Sequence, residues 1–112
     1  FCIAAAQSVA KDQREGVEAL GIVLGGSGNG EQMAANKVSG IRAALVWNES
    51  TARLAREHND ANVVALGARQ HSREEVLELV KIFIAEPFSE DERHVRRIGK
   101  MSHFEATGEV LY

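Results

Sequence analysis

Cysteine is nearly missing from this chain: Cys2 stands alone, so no internal disulfide can form, and its free thiol fits a reducing compartment such as the cytoplasm. Long apolar runs are missing as well, the longest falling far short of the ~20 residues a membrane span needs. There is no excess of positive charge. Thirteen Lys and Arg against sixteen Asp and Glu leave a net charge of −3, so no general basic field recruits nucleic acid or an anionic membrane. Any cationic site must be local. Repeats, low-complexity tracts and linkers are absent too, and 112 residues are read as one domain spanning 1–112. The chain has no initiator Met and no basic stretch before an apolar leader, and it opens inside a helical pattern, as though truncated.

What is present is one stretch with a purpose, Gly21-Ile22-Val23-Leu24-Gly25-Gly26-Ser27-Gly28-Asn29-Gly30-Glu31. A short apolar run empties into a glycine loop and then into a helix start. Leu20 to Leu24 reads as a strand buried on both faces of a parallel sheet. The remaining elements follow in order. Phe1 to about Gln13 is an amphipathic helix, with Phe1, Ala5 and Val9 at helical spacing beside Cys2 and Ala6. Glu31 to about Val38 is a short helix, with Gly40 as its left-handed cap. Ile41 to Trp47 is a second strand, and Asn48 caps a helix from Glu49 to about His58 that turns Leu54 and Ala55 inward. Val63 to Leu66 is a third strand. Ser72 and Glu75 form a capping box ahead of a helix whose apolar face is Val76, Leu77, Val80, Phe83 and Ile84. After Pro87, Ser89 and Glu92 form a second box, opening a last helix to about Glu105 packed through Val95, Ile98 and Met101. Trp47 and Tyr112 read as packing residues.

Strands alternating with helices through short connections predict an α/β fold, with right-handed βαβ units and a parallel sheet. Ligands of such sheets bind beyond the carboxyl ends of the strands. Gly25 to Gly30, Trp47 to Asn48 and Gly67 to His71 all belong to that edge. Alternating Gly26, Gly28 and Gly30 free the backbone to aim N–H groups at one point, as a nest for phosphate or for an oxyanion. A phosphate loop of the Walker type would continue with Lys and Ser or Thr. Here Glu31 and Gln32 follow. A carboxylate there repels a phosphate dianion and suits a neutral substrate end that must lose a proton. The competing explanation is that Glu31 only stabilises a helix N-terminus, by ~0.3–1 kcal/mol.

Arg93, Arg97 and Lys100 share one face of the last helix, with Arg96 beside them. Two arginines at i, i+4 can fork onto a phosphate, although a solvated face paired with Glu90, Asp91 and Glu92 is the commoner use. A C-terminal helix need not reach its own loop, so these arginines can serve a neighbouring subunit. His58, at a helix end, is a candidate acid or base. His71, His94 and His103 have no metal-ligand spacing with Cys2 or one another, so no metal is expected.

Taken together, GIVLGGSGNGEQMAANKV, IRAALVWN, AREHNDANVVALGAR and the arginine helix resemble the ribose-5-phosphate isomerase B and galactose-6-phosphate isomerase family, over about Phe1 to Glu105. The resemblance implies a three-layer α/β/α sandwich with a Rossmann-like parallel sheet. It implies an aldose–ketose isomerase of ribose 5-phosphate and ribulose 5-phosphate, without metal or cofactor, in dimers or dimer-based tetramers with shared sites. By motif, Glu31 is the base, Ser27 contacts the reacting end of the sugar, and His58 assists ring opening. Gly26, Gly28, Asn29 and Gly30 form the oxyanion nest, and Asn59 binds sugar hydroxyls. Arg69, Arg93 and Arg97 hold phosphate, the last two across the dimer interface. One branch of the family uses a cysteine base at the position of Gly25, which glycine here rules out. The family's N-terminal βα unit, whose strand ends in Asp-His, is not in this sequence. Two alternatives stand beside this reading: an isomerase of six-carbon sugar phosphates, and a non-catalytic sugar-phosphate-binding module.

Overall fold

The computed structural model describes all residues, Phe1–Tyr112. The elements are α1 (Cys2–Arg14), β1 (Gly21–Gly25), α2 (Asn29–Ala35), β2 (Ala43–Leu45), α3 (Glu49–Glu57), β3 (Val63–Gly67), α4 (Arg73–Ala85) and α5 (Glu92–Thr107). No helix is long and apolar enough to cross a membrane.

The three strands are parallel in the order β1-β3-β2, with Gly21 to Gly25 in register with Val63 to Gly67 and Ala43 to Leu45 with Val63 to Ala65. β3 is central because every one of its side chains is apolar and small enough to be covered on both faces, and all five residues are buried. On one face α1 and α2 close over Val23, Ala43, Val63 and Ala65 through Cys2, Ala6, Val9, Ala10 and Ala35. On the other, α3 and α4 close over Val46, Val64 and Leu66 through Ala52, Ala55, Leu79 and Phe83. The result is three layers, helices on both faces of a parallel sheet.

Several expectations change here. β1 is an edge strand of this chain, and Ile22 and Leu24 are half-exposed on its uncovered face, so it is not buried on both sides. Phe1 is 90% exposed, and α1 packs through Cys2, Ala6, Val9 and Ala10 instead. In α3 it is Ala52 and Ala55 that are buried, while Leu54 is exposed. In α4 Leu77 and Ile84 point to solvent, and the face is Leu79 and Phe83 with Val76, Val80 and Ile82 around them. Tyr112 is fully exposed and Trp47 nearly half so.

The caps explain where the helices start. Asn48 with Thr51, and Ser72 with Glu75, form reciprocal capping boxes. The Ser72 N–H and hydroxyl hold the Glu75 carboxyl below the usual carboxylate range. The second box expected at Ser89 does not form. Asp91 caps α5 by accepting from the Arg93 N–H at 3.0 Å, which frees the Ser89 hydroxyl for other partners. Gly40 adopts φ +86°, but beyond the end of α2, whose C-cap is Asn36.

Two asparagines join these layers. The Asn36 side chain donates to the Ala43 carbonyl at 3.0 Å and accepts from the Ala43 N–H at 2.7 Å, acting as a short extra strand on the open edge of β2. Asn62, 2% exposed, donates to Gln13 Oε1 and the Gly40 carbonyl and accepts from the Arg42 N–H. It ties the end of α1 and the entry to β2 to the start of β3.

Candidate active site

The glycine loop leaves the carboxyl end of β1 and is strapped to the loop after β3. The Ala68 N–H donates to the Gly25 carbonyl at 2.6 Å and the Arg69 N–H to the Gly26 carbonyl at 3.0 Å. Gly28 turns the chain with φ +84°, and a Cβ on it would meet Leu45 Cδ1 at 2.7 Å and the Leu66 carbonyl carbon at 2.9 Å. Only glycine satisfies both the conformation and the space. α2 therefore begins at Asn29, two residues before its expected start. The Asn29 N–H is taken by Ser27 Oγ at 3.2 Å. The N–H groups of Gly30 and Glu31 have no carbonyl one turn back within their own helix, so they remain available as donors.

Glu31 is thus the third residue of α2, the position from which a capping-box glutamate reaches back to the N-cap N–H. It does not do so, and the helix has no side-chain cap. Its carboxylate bends over the end of β1 instead, filling the space that any Cβ on Gly25 would occupy. It enters no ion pair. Helix capping does not account for that pose. The guanidinium of Arg69 lies over the next residue, with Nη1 at 3.3 Å from the ideal Cβ position of Gly26. Half-buried Ser27, Gly26, Gly28, Asn29, Gly30, Glu31 and Arg69 therefore form one group at the carboxyl edge of the sheet. Trp47 and His71 flank that edge, their rings meeting edge to face with centroids 5.9 Å apart. Chemically, such a group combines an unpaired carboxylate, backbone donors and a cation.

The other expected site residues are elsewhere. In a parallel sheet a helix runs antiparallel to the strand before it, so the end of α3 lies at the amino edge. Arg42, at the entry to β2, fixes this corner by donating from Nε to the Asn59 carbonyl at 3.0 Å and from Nη2 to that of Asp60 at 2.9 Å. His58 and Asn59 are thus separated from Glu31 by about 15 Å, the length of a five-residue strand. Arg93 and Arg97, both exposed, are on the helix that packs against His58. His58 and Asn59 thus lie on the side of the chain that carries Arg93 and Arg97.

That helix held a residue the sequence did not single out. His94, 6% exposed, is the only buried residue of α5, whereas Val95 and Met101 of the expected packing stripe are half-exposed. Its ring stacks on His58, with centroids 4.2 Å apart and planes 30° apart. Burial, then the neighbouring His58, then Arg93 push its pKa below the ordinary histidine value. Metal-ligand spacing, by which the sequence excludes His94 as a ligand, does not register a stacked pair. The signal available was that His94 starts the series His94, Ile98, Glu105 along the side of α5 that faces the domain.

The fold and this edge define a class first: a parallel α/β protein with a carboxylate set into a glycine loop at the carboxyl ends of its strands. Within that class the family is identified by sequence. The family model described as Ribose/Galactose Isomerase matches residues 1–101, and the chain belongs to that family. It is 53% identical over 107 residues to ribose-5-phosphate isomerase B of Mycobacterium leprae, covering 96% of this chain and 64% of that relative's length. The structure superposes on type B ribose 5-phosphate isomerase from Trypanosoma cruzi with TM-score 0.88 and 46% identity, covering 96% of this chain and 69% of the other. With ribose-5-phosphate isomerase B from Mycoplasma genitalium, solved with bound ribulose-5-phosphate, the values are 0.88, 41%, 96% and 68%.

Proposed function

We propose that this chain is an aldose–ketose isomerase acting on ribose 5-phosphate and ribulose 5-phosphate, with Glu31 as the base. The Glu31 carboxylate removes the proton from C2 of the open-chain aldose. The electron pair of that C–H bond forms the C1–C2 double bond, and the carbonyl pair moves to O1 as an enediolate. N–H groups of Gly28 and Gly30 stabilise that oxyanion, joined by that of Asn29 once it leaves Ser27 Oγ, with Gly26 shaping the loop and Ser27 at the reacting end. A proton then passes from O2 to O1, and protonated Glu31 returns its proton to C1. The observation that carries this reading is the carboxylate pose, bent over Gly25, unpaired and unused as a cap.

The phosphate lies at the cationic groups, Arg69 on one side and Arg93 with Arg97 on the other. Because the two groups of residues lie at opposite sheet edges, one five-carbon sugar cannot reach both in one chain. We therefore infer a homodimer in which a second copy supplies His58 and Asn59 as well as the two arginines. No cofactor enters the scheme, and the cytoplasm is the compartment in which we place it.

The test is Glu31→Gln. Losing such a base costs ~10²–10⁴ in kcat, with the thermal midpoint unchanged. Exchange of the substrate's C2 proton with deuterated water should fall in parallel. Near-normal turnover by a folded variant removes Glu31 from the mechanism.

A further inference from the structure

The segment between α4 and α5 is fastened to the last turn of α3. Arg53 pairs with Glu86 at 3.0 Å, Arg56 Nε donates to the Glu86 carbonyl at 3.3 Å, and the Ser89 N–H donates to the Glu57 carbonyl at 3.0 Å. These bonds seat the first turn of α5 against His58. The Ser89 hydroxyl is 3.1 Å from His94 Nδ1 and accepts from the Asp91 N–H at 3.1 Å. With that lone pair engaged, the hydroxyl hydrogen is free to donate to Nδ1. This favours the neutral His94 tautomer carrying its proton on Nε2. His94 is therefore a buried flat ring held from behind, and half-exposed His58 lies on it.

We propose that His94 is a positioning residue for His58: it sets the plane of the His58 ring at the rim and makes the two stacked imidazoles share one proton. Two cationic rings at this separation repel, and His94 has the larger desolvation cost. The groups around the pair are Glu57, with Oε1 3.7 Å from His58 Nε2, and Asp91, Arg93 and Arg97 of α5. Asp91 favours charge on His94 and the two arginines oppose it.

The use of this pair in catalysis rests on the isomerase reading. Ribose 5-phosphate is mostly a closed hemiacetal, and ring opening must precede proton abstraction. The C1–ring-oxygen bond breaks with its pair staying on the ring oxygen, which takes a proton from His58. The anomeric hydroxyl gives its proton to water, leaving the aldehyde, and water recharges His58. Ribulose 5-phosphate lacks a free hydroxyl placed to close a five-membered ring, so the reverse reaction starts from an open chain.

The experiment combines histidine-ring NMR titration of the full chain with initial rates in both directions, for wild type, His94→Ala, His94→Phe and His58→Asn. Coupling predicts that His58→Asn moves the His94 titration up by roughly half a pH unit or more. His94→Ala should lower kcat on ribose 5-phosphate about tenfold, within the range for general acid–base assistance, with KM within about twofold. Since a catalyst leaves the equilibrium constant unchanged, kcat/KM from ribulose 5-phosphate falls by the same factor, but exchange of its C1 hydrogen with deuterated water, which needs no ring step, should fall less than about threefold. His94→Phe keeps a flat ring, so its kcat should return to within about threefold of wild type while its pH profile loses the second acid step. A His94 titration unmoved by His58→Asn overturns the proposal, as does a His94→Ala chain with wild-type kcat and pH profile, or one in which the exchange of the ribulose 5-phosphate C1 hydrogen falls as far as kcat. Coupled titration in a wild-type chain that turns over neither sugar supports the pair and overturns the isomerase reading instead.

Discussion

At position 25 there is room for a hydrogen and nothing larger, because the carboxylate of Glu31 occupies the space where a side chain would begin. The missing side chain of Gly25 lets Glu31 lie back over the strand end. The obstacle to a larger residue there is the end of a flexible side chain, which can swing away. Gly25→Ala should accordingly leave the thermal midpoint nearly unchanged and lower kcat by at least about tenfold, since a displaced base loses part of the ~10²–10⁴ that proton transfer contributes. Equal losses of stability and activity would show that Gly25 serves the fold instead. The sequence placed glycine and glutamate on either side of one loop, and that much of the site could be read from it. The contact between them could not, because it depends on where α2 starts. Gly28, with φ +84° and Leu45 and Leu66 against it, begins the helix at Asn29 and so turns Glu31 toward β1.

Order and type of every helix and strand followed from periodicity and caps, since each apolar run is short and bounded by turn residues. Which side of each helix faces inward was less legible. In α3 small Ala52 and Ala55 are buried while Leu54 is left outside, and in α4 Leu79 and Phe83 are buried while Leu77 and Ile84 are exposed. A hydrophobicity pattern ranks leucine above alanine and misses this. Elements are also joined by polar side chains with no periodic signature, Asn62 above all. Replacing Asn62 by Ala strands the Arg42 N–H and removes both donor bonds, to Gln13 and to the Gly40 carbonyl, in a buried site. At ~1–3 kcal/mol for a buried group left unsatisfied, the expected loss is about 3 kcal/mol by urea unfolding. Asn36→Ala should cost only about 1 kcal/mol, because the Ala43 groups it serves lie at a sheet edge where water can replace them. The ranking is the check. Equal costs would mean that Asn62 is not the joint between layers described above.

At the scale of the whole molecule, parallel topology forces one side of every helix connection to the opposite edge of the sheet. That rule places His58 and Asn59 at the edge of the sheet opposite Glu31, and it can be applied to the order of elements in the sequence alone. If two copies complete each other, the halves are genetically separable. A Glu31→Gln chain keeps its His58 group, and a His58→Asn chain keeps its Glu31 group. Each homodimer then has a defect in both sites. A mixed dimer has one site with both defects and one with none. Random reassociation of equal amounts makes half the dimers mixed, each with one of two sites intact, so about a quarter of wild-type activity should return. The measurement is the initial rate on ribose 5-phosphate after the two inactive proteins are unfolded and refolded together, compared with each refolded alone. Recovery should follow the time course of subunit exchange and disappear when either variant is refolded separately. If the mixture is no more active than the sum of its parts, all the catalytic residues act within one chain, and the pairing of His58 with the distant arginines has no part in the reaction.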